Sequence, residues 1–438
     1  MEKHSKLINL IKSILIIALA VLIVTGVFKI LILKSEDGIN QFDALYKHPD
    51  NTIDVFFLGS SHVYCDIATG VLWDNYGMAA FDLGGAEAPA WVSYYQLKEA
   101  LRTQKPKLVC FEVSIADHIM FQNDKWSVDN NYGMKWNSNR IEQLRVNSEG
   151  DDFYRRLNPY NIMHGRYKDL GENDFRNIRD TANYKGFDPR ETVIEDETPD
   201  MSEVTETEPC PEKVEEYIRK TIELAKSEGI PIVLFISPYC VEEEDQKVYN
   251  YIGTIAQSEG VDFWDFNRQY DEMGLDFTVD LSDGSHLSYT GNYKFTDYLG
   301  ATIKKDFDIP DRRGDKLYRS WEWDSAIQRN ERNDLAIMET KDAMEVLKLT
   351  QSGYIVFGTN EETAVIIEDG QIVETVEGSF RMTYSSGNDN FLFLDETEED
   401  SERFISFFIN DTEYREPYQN ILFVYDSVKH EFVRAVKY

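Results

Sequence analysis

At 438 residues the chain has room for two or three domains, and with 42% hydrophobic and 13% aromatic residues most of it can bury a core. Its formal charge of −34, from 79 acidic against 45 basic side chains, argues against a nucleic-acid partner, which needs a basic face. The same charge suits a domain working outside a cell, without bearing on its fold.

The first predicted element is apolar. Residues 7–33 read LINLIKSILIIALAVLIVTGVFKILIL, with sixteen residues free of charge between Lys12 and Lys29. Roughly 20 residues span a bilayer and terminal lysines reach back to the headgroups, so residues 1–35 read as a membrane anchor. A cleaved signal peptide shares the basic start, but no Ala-x-Ala-like site follows the apolar run. Lys3 and Lys6 place the short N-terminus in the cytoplasm and the rest outside, while Lys29 and Lys34 pull weakly the other way.

Strand and helix patterns then alternate. Continuous apolar runs at 53–58 (IDVFFL), 107–113, 230–236 and 261–266, with a shorter one at 79–83, predict buried strands. Helices are expected over 67–76, from Pro89 to about residue 102, over 211–228, 244–258 and 289–305. This order predicts an α/β domain over 50–310 whose parallel sheet is covered on both faces and whose ligands lie beyond the strands' carboxyl ends. Residues 114–210 interrupt it. Within that insert 141–157 read as helical, a lid or substrate wall over the strand ends, with a plain surface excursion as the alternative. Its end, ETVIEDETPDMSEVTETEPCPE, reads as a mobile acidic linker. Residues 340–438 form a small all-β region, with strands at 354–357, 364–367, 371–376, 391–394, 404–409, 421–425 and 432–436.

The four cysteines, Cys65, Cys110, Cys210 and Cys240, show no metal-ligand spacing, and neither metal nor cofactor is expected. Two lie in or beside core strands, where Cys acts as a small hydrophobe; outside a cell a disulfide is open to them.

Two motifs carry chemistry. In FFLGSSHVYCD, residues 56–66, the first strand ends at a glycine and hands two serines to a helix. In DLSDGSHLSYTG, residues 280–291, Asp283 and His286 stand three apart before the last helix. That spacing lets a carboxylate hold one ring nitrogen while the other faces a serine, as an activated nucleophile requires. The alternative is a helix-start histidine with Asp283 as a local cap. Between them FDLGGAEAP, residues 81–89, offers a glycine turn that can aim N–H groups at an oxyanion or serve only as a tight turn. His62, beside Ser61, points away from it if the turn is sharp but can reach substrate, as can Glu87 of the glycine turn.

The serine turn after strand one, the glycine turn after strand two and a terminal Asp-x-x-His resemble the SGNH (GDSL-type) esterase superfamily over about residues 53–306, the insert excepted. The resemblance implies a flavodoxin-like three-layer fold and Ser–His–Asp acyl chemistry, with Ser61 as nucleophile, His286 as base, Asp283 as its orienter, and Ser61 and Gly85 amides in the oxyanion hole. The family's Gly-x-Asn-Asp block is missing after the third strand, which runs into FEVSIAD, and Asp82 stands where the second block has asparagine. Asn123, Asn130 and Asn131 of the insert are the candidates for the missing donor. These departures and the anchor are similar to the membrane-anchored branch that includes the teichoic acid D-alanylation and alginate O-acetylation proteins. That similarity implies an acylated cell-envelope glycan or teichoic acid as substrate and a multispanning membrane O-acyltransferase as partner. The C-terminal strands weakly resemble small β-rich carbohydrate-associated or interleukin-like modules. The expected function is a membrane-anchored extracytoplasmic acyl esterase or O-acyltransferase; the alternative is a catalytically inactive glycan-binding or scaffold subunit of that fold.

Overall fold

The computed structural model describes residues 2–32, 38–117, 121, 124–148, 150, 152–158, 160–176, 185–360, 362–397 and 402–438. Lys34, His118 and Asn123 fall outside these residues. The chain divides into two compact units, Met1–Tyr318 and Arg319–Tyr438.

The first unit begins with helix α1 (Glu2–Leu31), whose stretch Leu7–Leu31 is long and apolar enough to cross a membrane and is almost wholly exposed. A short helix α2 (Ile39–Leu45) follows. The body is a five-stranded sheet of β1 (Val55–Gly59), β2 (Ala80–Gly84), β3 (Leu108–Glu112), β4 (Ile232–Ile236) and β5 (Asp262–Asp265). All neighbours are parallel and the order is β2-β1-β3-β4-β5. The first four strands are buried at every residue, which is why each reads as an unbroken apolar run rather than an alternation.

Helices cover both faces. On one side α3 (Ser61–Asp66), α4 (Thr69–Tyr76) and α14 (Gly291–Asp306) bury Val63, Leu72, Phe295, Leu299 and Ile303 against Val55, Phe57, Cys110 and Phe235. On the other, α5 (Ala90–Ala100) packs on β1 and on α11 (Glu212–Ser227), which lies on β4; α12 (Glu243–Glu259) covers β5. A one-turn helix α13 (Tyr270–Met273) adds Tyr270 and Met273 to the core. The helix expected over 67–76 is divided, because the chain turns helical at Ser61 itself, opens at Ile67 and Ala68, and resumes at Thr69.

The insert is built of short helices: α6 (Asp124–Tyr132), α7 (Ser138–Val146), α8 (Asp152–Leu157), α9 (Tyr160–Met163), a 3-10 turn His164–Lys168, and α10 (Glu172–Arg176). The acidic stretch beyond it is not a free linker. Ile194 pairs with Leu281, Arg268 donates to the carbonyls of Met201 and Val204, and Asn250 donates to those of Val204 and Glu206. Those bonds tie an extended acidic chain to the body. None of the four cysteines forms a disulfide.

The second unit opens with α15 (Arg319–Glu339) and α16 (Ala343–Leu349) and continues as two antiparallel sheets. One orders β14 (Glu431–Lys437), β13 (Ile421–Asp426), β6 (Tyr354–Thr359), β7 (Thr363–Glu368) and β8 (Gln371–Glu377). The other orders β12 (Thr412–Pro417), β11 (Arg403–Ile409), β10 (Asp389–Thr397) and β9 (Arg381–Ser386). A phenylalanine cluster of Phe357, Phe391, Phe393, Phe407 and Phe423 fills the space between them. β9 and β12 have no counterpart among the expected strands, because their mostly exposed, polar residues show no apolar run.

Candidate active site

The site lies at the carboxyl end of β1, where strand order reverses between β2 and β3, the position at which open parallel sheets bind ligands. Gly59 closes β1 at φ 149°, and a Cβ there would stand 2.7 Å from the Glu112 Cβ. Gly84 approaches equally closely, its virtual Cβ 2.7 Å from the Ser60 carbonyl oxygen. Two strand ends therefore meet a turn that only glycines admit.

Ser60 and Ser61 divide the labour of that turn. Ser60 is fully buried; its hydroxyl caps α3 by accepting the His62 N–H and donates to Glu112 Oε2 at 3.1 Å. Ser61, at the first helical position, turns its Oγ outward to 2.7 Å from His286 Nε2. The opposite ring nitrogen, Nδ1, lies 3.0 Å from both carboxylate oxygens of Asp283. Asp283 also accepts the backbone N–H groups of Ser285 and His286, so the tight DGSH turn is held by the same carboxylate that orients the ring. Burial alone would raise this carboxyl, but the hydrogen bond and charge of His286 and the two amides outweigh it, and Asp283 sits well below the usual carboxylate range. The structure thus brings together Ser61, His286 and Asp283 across more than 200 residues of chain.

Behind the three lies a second layer absent from the expectations. His62 does not point away: it is buried, its ring 5.2 Å from that of His286 and 5.1 Å from that of Tyr239, and its Nδ1 is 3.2 Å from Asp66 Oδ2. Asp66 Oδ1 accepts the Leu287 N–H at 2.9 Å, so one carboxyl joins α3 to the residue after His286. Burial pushes Asp66 up to about 8 and His62 down, so it favours the neutral form of each. Glu112, at the end of β3, is likewise raised by burial and accepts the Ser114 N–H at 2.7 Å. The i, i+4 spacing of His62 and Asp66 was the signal available for this layer, since it sets both on one helix face.

The expected oxyanion donors fare differently. The Gly85 N–H donates to the Gly59 carbonyl at 3.2 Å, so it braces the turn instead of facing a ligand. Asn130 packs against Gly85 but donates to the carbonyls of Ala86 and Trp126. Asn131 donates to the Arg140 carbonyl and Gln143, away from the cleft. Asp82 lies buried inside β2, where burial raises its carboxyl strongly. Among the described residues the amides of Ser61 and Ala86 donate to no protein acceptor, and both residues line the cleft. Glu87 follows with φ 47°, an uncommon backbone for a side chain of its kind, and also lines the cleft.

The cleft encloses about 650 Å³. Ser61 and His286 form one part of its wall, with Trp126 of α6, Arg190, Tyr239 and Tyr249 among the others. Tyr239 and Tyr249 share a 2.6 Å hydrogen bond, and Tyr249 donates onward to the Ser114 carbonyl, which stiffens that wall.

No protein-family model and no curated protein matches the chain. Among solved structures it is similar to one described as a "putative acylhydrolase" from Bacteroides fragilis, with 12% identity and a TM-score of 0.31 over 60% of this chain and 93% of that one. A GDSL-like lipase from Bacteroides thetaiotaomicron is similar at 12% identity and a TM-score of 0.29, over 57% of this chain and 86% of its own.

Proposed function

We propose that the chain is a membrane-anchored, extracytoplasmic serine acyl esterase or O-acyltransferase of the SGNH type, acting on ester-linked acyl groups of a cell-envelope polysaccharide or teichoic acid. One observation carries the chemistry: an outward serine hydroxyl 2.7 Å from an imidazole whose other nitrogen is held by a carboxylate. The Ser61 Oγ attacks the acyl carbonyl as its proton passes to His286 Nε2, and Asp283 stabilises the imidazolium. The oxyanion is received by the Ser61 and Ala86 amides. Collapse expels the polymer's alkoxide, which takes the proton from His286, and leaves an acyl-Ser61 ester. Water or a second hydroxyl, deprotonated by His286, attacks that ester and frees the serine. Hydrolysis and transfer differ only in this acceptor, with a multispanning O-acyltransferase as the partner in the second case. Glu87 and Arg190, on opposite sides of the charge balance, are positioned to bind the polymer's polar groups.

Labelling of the full chain by a fluorophosphonate, lost in Ser61→Ala, together with p-nitrophenyl acetate turnover, tests the reading. No labelling and no turnover would favour the second reading, a non-catalytic glycan-binding or scaffold subunit. The spent Gly85 amide and the absent third-block asparagine are the observations on its side.

A further inference from the structure

The insert is set apart by charge. Across residues 124–176 nine basic side chains match nine acidic ones, so the chain's −34 lies entirely outside this stretch. It also leaves large aromatic side chains exposed: Tyr154, Tyr160, Tyr167 and Phe175 are 71%, 44%, 64% and 64% accessible. The elements carrying the last three are those that pack on α1, namely α9, the His164–Lys168 turn and α10. Arg166 of that turn donates to the carbonyls of Leu31 and Ile32 at 2.7 and 3.0 Å, closing the end of the apolar helix. Ile32 packs there into a cluster with Ile39, Val128, Tyr132 and Met163.

We propose that residues 124–176 form a lipid-facing collar that seats the first unit on the headgroup layer where α1 leaves the bilayer. Tyrosine and phenylalanine with neighbouring arginine and lysine are the side chains that settle at a membrane–water interface. An acidic protein is repelled by anionic lipid over most of its surface, and the neutral segment is the face that can approach. The collar is also part of the catalytic cleft. Helix α6 sends Val128 and Tyr132 into the cluster at the end of α1, while its Trp126 lines the cleft and its Asn130 braces the Gly85 turn. The opening beside Ser61 is therefore held near the bilayer, and the ester it takes is one presented in or against the headgroup layer.

The proposal rests on α1 crossing the membrane, and its test does not depend on catalysis. The full chain, with Cys240→Ser removing the one part-exposed thiol and the buried Cys65, Cys110 and Cys210 kept, is given one added cysteine by Tyr160→Cys, Tyr167→Cys or Phe175→Cys. Gln257→Cys, on an exposed position of α12, serves as control. Each is labelled with bimane and reconstituted into vesicles of phosphatidylcholine and phosphatidylglycerol carrying a nitroxide near the headgroup. The collar positions should be quenched at least about threefold more strongly than Gln257 and shifted to the blue. Quenching equal to the control, in protein that resists carbonate extraction, overturns the collar and leaves the anchor standing. Release by carbonate overturns both, and fluorophosphonate labelling of Ser61 is untouched by either result.

Discussion

The Ser61 hydroxyl has one strong partner, His286, and the removal of either should be felt in turnover and not in folding. Ser61→Ala and His286→Ala are expected to lower p-nitrophenyl acetate kcat by about 10³-fold or more, with little change in Tm, and the double variant should lose no more than either alone. Asp66 makes the opposite prediction. Its folded-state pKa, about 8, lies above that of an unfolded carboxyl, so the folded protein keeps a proton that the unfolded chain gives up. The stability this proton contributes is whole below the unfolded value and falls as pH rises from there through about 8. Asp66→Asn keeps an acceptor for Leu287 and a donor for His62, so urea melts should show a flatter decline over that range. Asp66→Ala leaves the Leu287 N–H and the His62 ring nitrogen without that partner; it should cost about 1–3 kcal/mol below the unfolded carboxyl value and progressively less as pH rises through about 8.

At the scale of elements, the β1–α3 turn depends on glycine at two points. Gly59→Ala adds a methyl 2.7 Å from Glu112 Cβ at a backbone angle that suits glycine, so a loss of about 1–3 kcal/mol in denaturant melts is expected, with activity falling further than Tm alone explains. Ser60→Ala removes a helix cap and a partner of Glu112; it should cost about 1 kcal/mol while fluorophosphonate still labels Ser61. These details mark how far sequence reaches. Strands β1 to β4 were legible because both faces are buried, and Ser61 was separable from Ser60 once DGSH supplied a base. The helix start at Ser61, hidden by the polar SSH, was not. Nor was the fate of Gly85: a glycine in a turn announces freedom of backbone, yet whether its N–H faces a ligand or the Gly59 carbonyl depends on how β1 and β2 end side by side. The acidic stretch misled for a related reason. Composition spoke of mobility, but Arg268 and Asn250, distant in sequence, hold its carbonyls.

At the scale of the whole chain, the two units carry main cores of different kinds, an aliphatic and aromatic one around a parallel sheet and a phenylalanine cluster between antiparallel sheets. Two units with separate cores should melt separately, and calorimetry of the full chain is expected to show two transitions, of which fluorophosphonate binding shifts only that of Met1–Tyr318. The net charge has a consequence for the reaction as well. Asp283 is 53% exposed, unlike the buried carboxyls of Asp66 and Glu112, so solvent screens part of its attraction for the imidazolium. A molecule with a charge of −34 gathers a counter-ion atmosphere, to which an exposed carboxylate such as Asp283 is open. On the proposed mechanism ionic strength therefore enters the acyl-transfer step itself, and turnover of p-nitrophenyl acetate is expected to change with the salt of the medium.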